Sequence, residues 1–127
     1  AQNSGTLGRL ILGAIIDTPY PIKIIGDNSL SKRDFKRIAD PLTKFGAKFK
    51  LKDNSTLPLI IKGSTKLKSI NFLEKKGSAQ CKSAVIFGAL KSNGETTIKA
   101  KKSRNHTELL FKYLGIPIKI NKKKNMI

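Results

Sequence analysis

The hydrophobic positions of this chain fall into two kinds of run, and the polar residues ahead of each run decide how it is read. Ala84-Val85-Ile86-Phe87-Gly88-Ala89-Leu90 is apolar on every side, the pattern of a helix buried all round. It opens from Gly77-Ser78-Ala79-Gln80-Cys81-Lys82-Ser83, which supplies a polar first turn. Asn3-Ser4-Gly5-Thr6 leads in the same way into Leu7-Gly8-Arg9-Leu10-Ile11-Leu12-Gly13-Ala14-Ile15-Ile16, with glycines that permit close packing. The second kind is amphipathic. Phe35, Ile38, Ala39, Leu42 and Phe45 recur at helical spacing behind Ser31-Lys32-Arg33-Asp34, which has the spacing of a capping box. Pro41 should kink this superficial helix, and Gly46 is placed to end it. Asn105-His106-Thr107-Glu108 has the same capping spacing, followed by Leu109, Leu110, Tyr113 and Leu114, with a stop at Gly115.

Between these helices the period changes to that of strands. Residues 21–25 read as a short buried strand ending at Gly26-Asp27, and residues 48–51 and 57–61 as a hairpin around Asp53-Asn54-Ser55. Residues 67–72, 95–100 and 116–120 complete the set, and Lys122-Lys123-Lys124 is expected to fray. Lys44-Phe45-Gly46-Ala47-Lys48-Phe49 matches Tyr113-Leu114-Gly115-Ile116-Pro117-Ile118 in pattern. The chain thus passes twice through helix, strand, helix, strand, with the buried helix first each time. This is an α/β repeat, one copy over residues 1–63 and an incomplete second over 64–127.

Composition narrows the function classes. The 127 residues carry a formal net charge of +18, a field that attracts polyanions or small phosphorylated ligands. A basic α/β module that binds RNA is therefore one reading. The lysines are scattered through every segment, however, and only 6% of residues are aromatic, which leaves few platforms for stacking bases. A single cysteine excludes an intrachain disulfide, and with one histidine it makes a dedicated metal site improbable. No apolar run approaches the length that spans a bilayer.

Candidate chemistry sits at the helix starts. Four polar clusters precede or open helices: residues 3–6, 29–33, 78–82 and 103–106. A helix N-terminus presents free N–H groups and the positive end of its dipole to an anion. Ser78 and Ser83 could donate to phosphate oxygens, Gln80 could reach a polar ligand, and Lys82 adds a charge. Arg33 and Arg104 could fork onto phosphate or carboxylate. Each cluster alone reads more readily as an ordinary cap. Four together, two of them on buried helices, favour an oxyanion surface. His106 reads as a first-turn helix residue, and Asp27, Asp34, Asp40 and Glu108 as turn, cap or surface residues, so no acid–base carboxylate pair is evident.

Six motifs occur in order: Asn3-Ser4-Gly5-Thr6 with Arg9; Gly26-Asp27-x-Ser29-Leu30-x-x-Arg33; Pro41-Leu42-x-x-Phe45-Gly46-Ala47; Leu57-Pro58-Leu59-x-Ile61-x-Gly63; Gly77-Ser78-Ala79-Gln80-x-Lys82-Ser83-Ala84; and Ser103-Arg104-Asn105-His106-Thr107-Glu108. Over essentially the whole chain this set resembles the 5-enolpyruvylshikimate-3-phosphate synthase (3-phosphoshikimate 1-carboxyvinyltransferase) family. The resemblance implies βαβαββ units with buried parallel helices, about two of them here, from one domain of a two-domain transferase. It implies phosphoenolpyruvate and shikimate-3-phosphate as substrates, no metal or organic cofactor, and a role in chorismate and aromatic amino-acid biosynthesis. By the same resemblance Ser78 and Ser103 match positions that hold the shikimate-3-phosphate phosphate, with Ala79 contributing backbone and Arg104 assisting. Gln80 lies against the shikimate ring and near phosphoenolpyruvate, which Asn3, Gly5 and Arg33 surround. An alanine at the Gly5 position would crowd the herbicide glyphosate. The family's early lysine, serine and arginine and its proton-moving residues have no counterpart in this sequence. The chain is thus expected to be a fragment, inactive alone, that needs the second domain of a cytoplasmic, monomeric parent with no membrane or nucleic-acid partner.

Overall fold

The computed structural model describes residues 1–123 and 125–127. Its elements run α1 (Gly5–Ala14), β1 (Pro21–Ile24), α2 (Lys36–Lys44), β2 (Lys48–Lys52), β3 (Thr56–Lys62), β4 (Asn71–Glu74), α3 (Ala79–Ala89), β5 (Thr97–Ala100) and α4 (His106–Tyr113). Both helices expected to be buried are present, but only α3 is buried on all sides. Ser4 caps α1 by accepting from the Leu7 N–H, and Ser78 caps α3 by accepting from the Cys81 N–H. α3 buries side chains from Cys81 through Ile86 without a break, whereas α1 buries one stripe, Gly5, Gly8, Arg9, Leu12 and Gly13, and leaves Leu7 exposed.

Helices α1 and α3 pack in parallel. The start of α1 meets the start of α3 through Thr6 and Gln80, and the residues after α1 reach the end of α3, where Ile16 lies beside Gly88. Midway, Gly13 lies against the Ala84 carbonyl so closely that a Cβ there would overlap it. That contact sets the separation of the two helices, and with it the spacing of their N-termini. The core gathers Leu12 and Ile16 from α1, Val85 and Ile86 from α3, Ile38 and Leu42 from α2, and Leu57, Leu59 and Ile61 from β3.

β3 is the centre of a three-stranded antiparallel sheet in the order β1-β3-β2. It alternates Leu57, Leu59 and Ile61 inward against Pro58, Ile60 and Lys62 outward. Asp53 and Asn54 both adopt positive φ, 47° and 58°, which turns the β2–β3 hairpin with the twist its strands require. β4 and β5 pair in parallel, Asn71 with Thr97 through Glu74 with Ala100. α2 is superficial, burying Ile38, Ala39, Pro41 and Leu42. Gly46, at φ 119°, turns the chain out of it.

Several sequence expectations are corrected. The strand at residues 21–25 stops at Ile24 and is half-exposed, because β1 is an edge strand with only one face on the core. The strand expected at residues 67–72 begins at Asn71; Leu67 and Ile70 are buried, but they lie in a connection bridged to Asn93. Residues 116–120 keep a two-residue alternation of burial yet pair with no strand among the described residues. Instead Met126 bridges Lys99, and Ile98 and Ile127 exchange two backbone hydrogen bonds. The Asn121 side chain accepts from the N–H groups of Asn125 and Met126, so Lys122 and Lys123 form a turn and do not fray; Lys124 lies outside the described residues.

Neither capping box forms as the spacing suggests. Leu30–Lys32 is a short 3-10 turn, Ser31 Oγ donates back to the Gly26 carbonyl, and α2 begins only after Phe35. Asp34 does serve that start, since its Oδ1 accepts from the Lys36 N–H at 2.8 Å. Asn105 precedes α4 without a side-chain cap, and Glu108 is turned inward.

Candidate site at the helix N-termini

The site is built from the starts of α1 and α3, the turn before α2, and the turn before α4. Gln80 joins the first two. Arg9 Nη1 donates to Gln80 Oε1 at 2.6 Å, and Gln80 Nε2 donates to Thr6 Oγ1 at 2.9 Å. These bonds fix which way the amide faces, because only its oxygen can accept from a guanidinium. Arg9 is 6% exposed, its Nη2 donates to the Asp34 carbonyl, and its guanidinium lies 5.4 Å from the centre of the Phe35 ring. Burial, then Arg37 and then Arg33 push its pKa down from the ordinary value, with Asp34 opposing. Arg9 belongs to the first sequence motif without an expected site role. A lone charge inside an apolar, glycine-bearing helix was the available signal.

Arg33 extends from the turn before α2 back to α1, where its Nη2 donates to Asn3 Oδ1 at 3.2 Å. Its Nη1 stands 3.1 Å from the point a Cβ on Gly5 would occupy, and Arg9 Nη1 3.5 Å from it. Gly5 therefore leaves open the space between two guanidinium groups and the first turn of α1. Neither arginine pairs with a carboxylate; the ion pairs among the described residues are Lys82 with Glu108 and Lys91 with Asp17. Asn3, Gly5, Arg33 and Gln80, expected to lie together, do so.

Ser78 and Ala79 form the cap and first residue of α3. The loop before them is held by Glu74, a buried carboxylate that accepts from the N–H groups of Lys76 and Gly77. Gly77 at φ 73° then delivers the chain to Ser78. The Lys102 carbonyl would lie 3.8 Å from a Cβ on Gly77, which brings the segment carrying Ser103 and Arg104 alongside. Ser103 Oγ is buried and makes no hydrogen bond, whereas Arg104 is exposed.

Two expected anion ligands turn away. Ser83 is buried and its Oγ pairs with Thr107 Oγ1 at 2.7 Å. Lys82 is also buried, with Nζ 2.5 Å from Glu108 Oε1. Lys82 thus contributes no free charge to the opening, and Glu108 is neither a cap nor a surface residue. An apolar helix offers no solvated path for either side chain, so each is buried with a partner. Asp27 behaves as expected of a turn residue, its Oδ1 accepting from the Leu30 N–H. One apolar cleft of about 980 Å³ lies elsewhere, lined by Ile86, Leu90, Ile98, Phe111, Ile118 and Met126 among others, and none of the candidate site residues lines it.

The fold and this amide-lined, cationic opening define the class: an α/β protein with a face suited to small anionic groups. Comparison with known proteins carries this to a family. The family model described as EPSP synthase (3-phosphoshikimate 1-carboxyvinyltransferase) matches residues 1–127. A 3-phosphoshikimate 1-carboxyvinyltransferase of Caldicellulosiruptor bescii is 47% identical over 120 residues, covering 93% of this chain and 28% of that protein. Its counterpart in Endomicrobium trichonymphae is 45% identical over 122 residues, covering 95% and 28%. The solved EPSP synthase of Acinetobacter baumannii superposes with a TM-score of 0.91 at 35% identity, over 98% of this chain and 28% of that one. The chain belongs to the EPSP synthase family, and it spans about 28% of the length of these relatives.

Proposed function

We propose that the whole protein carrying this chain transfers the enolpyruvyl group of phosphoenolpyruvate to the 5-hydroxyl of shikimate-3-phosphate, on the route to chorismate and the aromatic amino acids. In this reading the 5-hydroxyl gives up its proton as it attacks the central carbon of phosphoenolpyruvate, whose methylene gains a proton to become a methyl group. The tetrahedral adduct then loses a methyl proton as it expels phosphate, which re-forms the double bond. The observation that carries it is the opening at Gly5, where Arg33 and Arg9 converge without a carboxylate partner at a helix N-terminus. Asn3, Gly5 and Arg33 would receive phosphoenolpyruvate. Ser78, the Ala79 amide, Ser103 and Arg104 would receive the phosphate of shikimate-3-phosphate. Gln80 would lie between the two, already held by α1. Fixed positive groups stabilise charge as it develops and need no rearrangement at the moment of reaction. The reaction calls on no metal or organic cofactor.

In the same reading residues 1–63 and 64–127 belong to two repeats of one βαβαββ unit, the second of them incomplete, and a second domain completes the cleft and supplies the proton-moving groups. The protein is taken as a cytoplasmic monomer; among the described residues no helix is long and apolar enough to cross a membrane. RNA is not part of the reading. The outer face of the β1-β3-β2 sheet carries Lys23, Lys48, Lys50, Lys52 and Lys62 but no aromatic side chain on which a base could stack. The test is phosphate release by the whole gene product from phosphoenolpyruvate. Release that depends on shikimate-3-phosphate, with an enolpyruvyl ether as second product, is the expected result. Release without it, or salt-sensitive binding of generic RNA in its place, would sink the reading.

A further inference from the structure

α3, with Ser78 at its cap, and α4, with Ser103 just ahead of it, make little approach along their backbones. A row of side chains joins them. Lys82 Nζ meets Glu108 Oε1, with the two side chains 4% and 3% exposed. Ser83 Oγ meets Thr107 Oγ1, and the Phe87 ring meets Phe111 edge-on at 5.6 Å. Ser83 and Phe87, like Thr107 and Phe111, are one helical turn apart, so each helix offers one face to the other.

A buried ion pair is a poor source of stability, because removing two charges from water offsets most of their attraction. This pair is also incompletely satisfied: Glu108 Oε2 is buried and makes no hydrogen bond. Apolar side chains of similar volume would hold the helices together at least as well. They would not supply a fixed donor–acceptor distance between the helix whose cap is Ser78 and the helix that follows Ser103. We infer that Lys82 and Glu108 are positioning residues, whose ion pair sets the separation of Ser78 and Ser103 and so the fit of the phosphate group between them. The inference rests on the functional reading above, in which those hydroxyls receive the phosphate of shikimate-3-phosphate.

The test uses Lys82→Met, Glu108→Leu, the double variant, and Glu108→Asp, which keeps both charges and shortens the reach by one methylene, all in the whole gene product. The single apolar variants leave a buried charge unpaired and should lower Tm, while the double should regain the wild-type Tm or exceed it. The KM for shikimate-3-phosphate should stay raised roughly tenfold or more in the double and in Glu108→Asp, with the KM for phosphoenolpyruvate within about twofold of wild type. A role in stability alone would let the first KM recover together with Tm, and a double variant with wild-type KM values overturns the inference. If the wild type turns over no shikimate-3-phosphate, the functional reading fails by itself. Amide hydrogen exchange over residues 103–107 then decides the positioning role: faster exchange in the folded double variant supports it, and unchanged exchange overturns it.

Discussion

At the scale of single residues, the site depends on what Gly5 lacks and on what Cys81 keeps. A Cβ on Gly5 would stand 3.1 Å from Arg33 Nη1, close enough that the flexible end of Arg33 must move. Gly5 does not use a positive φ, so alanine fits its backbone and is the better helix former. On the proposed function, Gly5→Ala in the whole gene product should therefore leave Tm unchanged or slightly raised while the KM for phosphoenolpyruvate rises roughly tenfold or more. A fall in Tm with an unchanged KM would show that Gly5 serves packing. Cys81 is the opposite case: next to Gln80 in sequence, yet out of reach of a ligand. Burial pushes its thiol from 9.0 up to about 12, with the Glu74 carboxylate adding to the shift and Arg37 opposing it. Well below pH 9 the thiol is protonated in both folded and unfolded chains and stability does not depend on it. As pH rises from 9 toward 12 the unfolded chain ionises first, and stability is lost. Denaturant unfolding followed across that range should fall less steeply for Cys81→Ser than for wild type. Equal slopes would remove the thiol from the alkaline response.

At the scale of elements, the same thiol explains how α2 tolerates a proline. Pro41 has no N–H to give the carbonyl four residues before it, that of Arg37. Cys81 Sγ lies 3.2 Å from the Arg37 oxygen and donates in its place, across from α3. Pro41→Ala restores an amide donor, so Cys81→Ala should cost less in that background than alone, with a coupling of about 0.5–1 kcal/mol. Additive losses in a denaturant-unfolding cycle would mean that the carbonyl does not depend on the thiol. Such pairings mark the limit of what the sequence discloses. Buried α3 was legible because no face of it is polar, and the β2–β3 hairpin because Asp53 and Asn54 are residues that accept positive φ. The clustering of Asn3, Gly5, Arg33 and Gln80 was legible from motif resemblance. Arg9 to Gln80 and Lys82 to Glu108 were not, since one spans 71 positions and the other joins helices with little backbone contact. Capping boxes misled for a related reason. Spacing allows Glu108 to cap its own helix, but burial beside Lys82 gives its carboxylate a stronger partner.

At the scale of the whole molecule, a net charge of +18 is opposed by two ion pairs among the described residues, one of them buried. Most of the cations therefore repel one another across the surface, and added salt should relieve that repulsion. Sodium chloride is expected to raise Tm and, on the proposed function, to weaken the binding of phosphorylated substrates, two effects of opposite sign from one field. Sulfate separates the field from the site. At equal ionic strength it screens as chloride does, and it also strengthens apolar burial everywhere in the protein. A tetrahedral dianion seated between Arg33 and the first turn of α1 would add stability by mass action, growing with the logarithm of its concentration. The exposed side chain of Arg33 bonds, among the described residues, only to the side chain of Asn3, so Arg33→Ala should alter the folded core little. The excess of Tm in sulfate over chloride should shrink in Arg33→Ala and keep its full size in a control such as Lys50→Ala on the outer sheet face. An excess of equal size in all three proteins would assign the effect to general salting-out and remove Arg33 from the anion site.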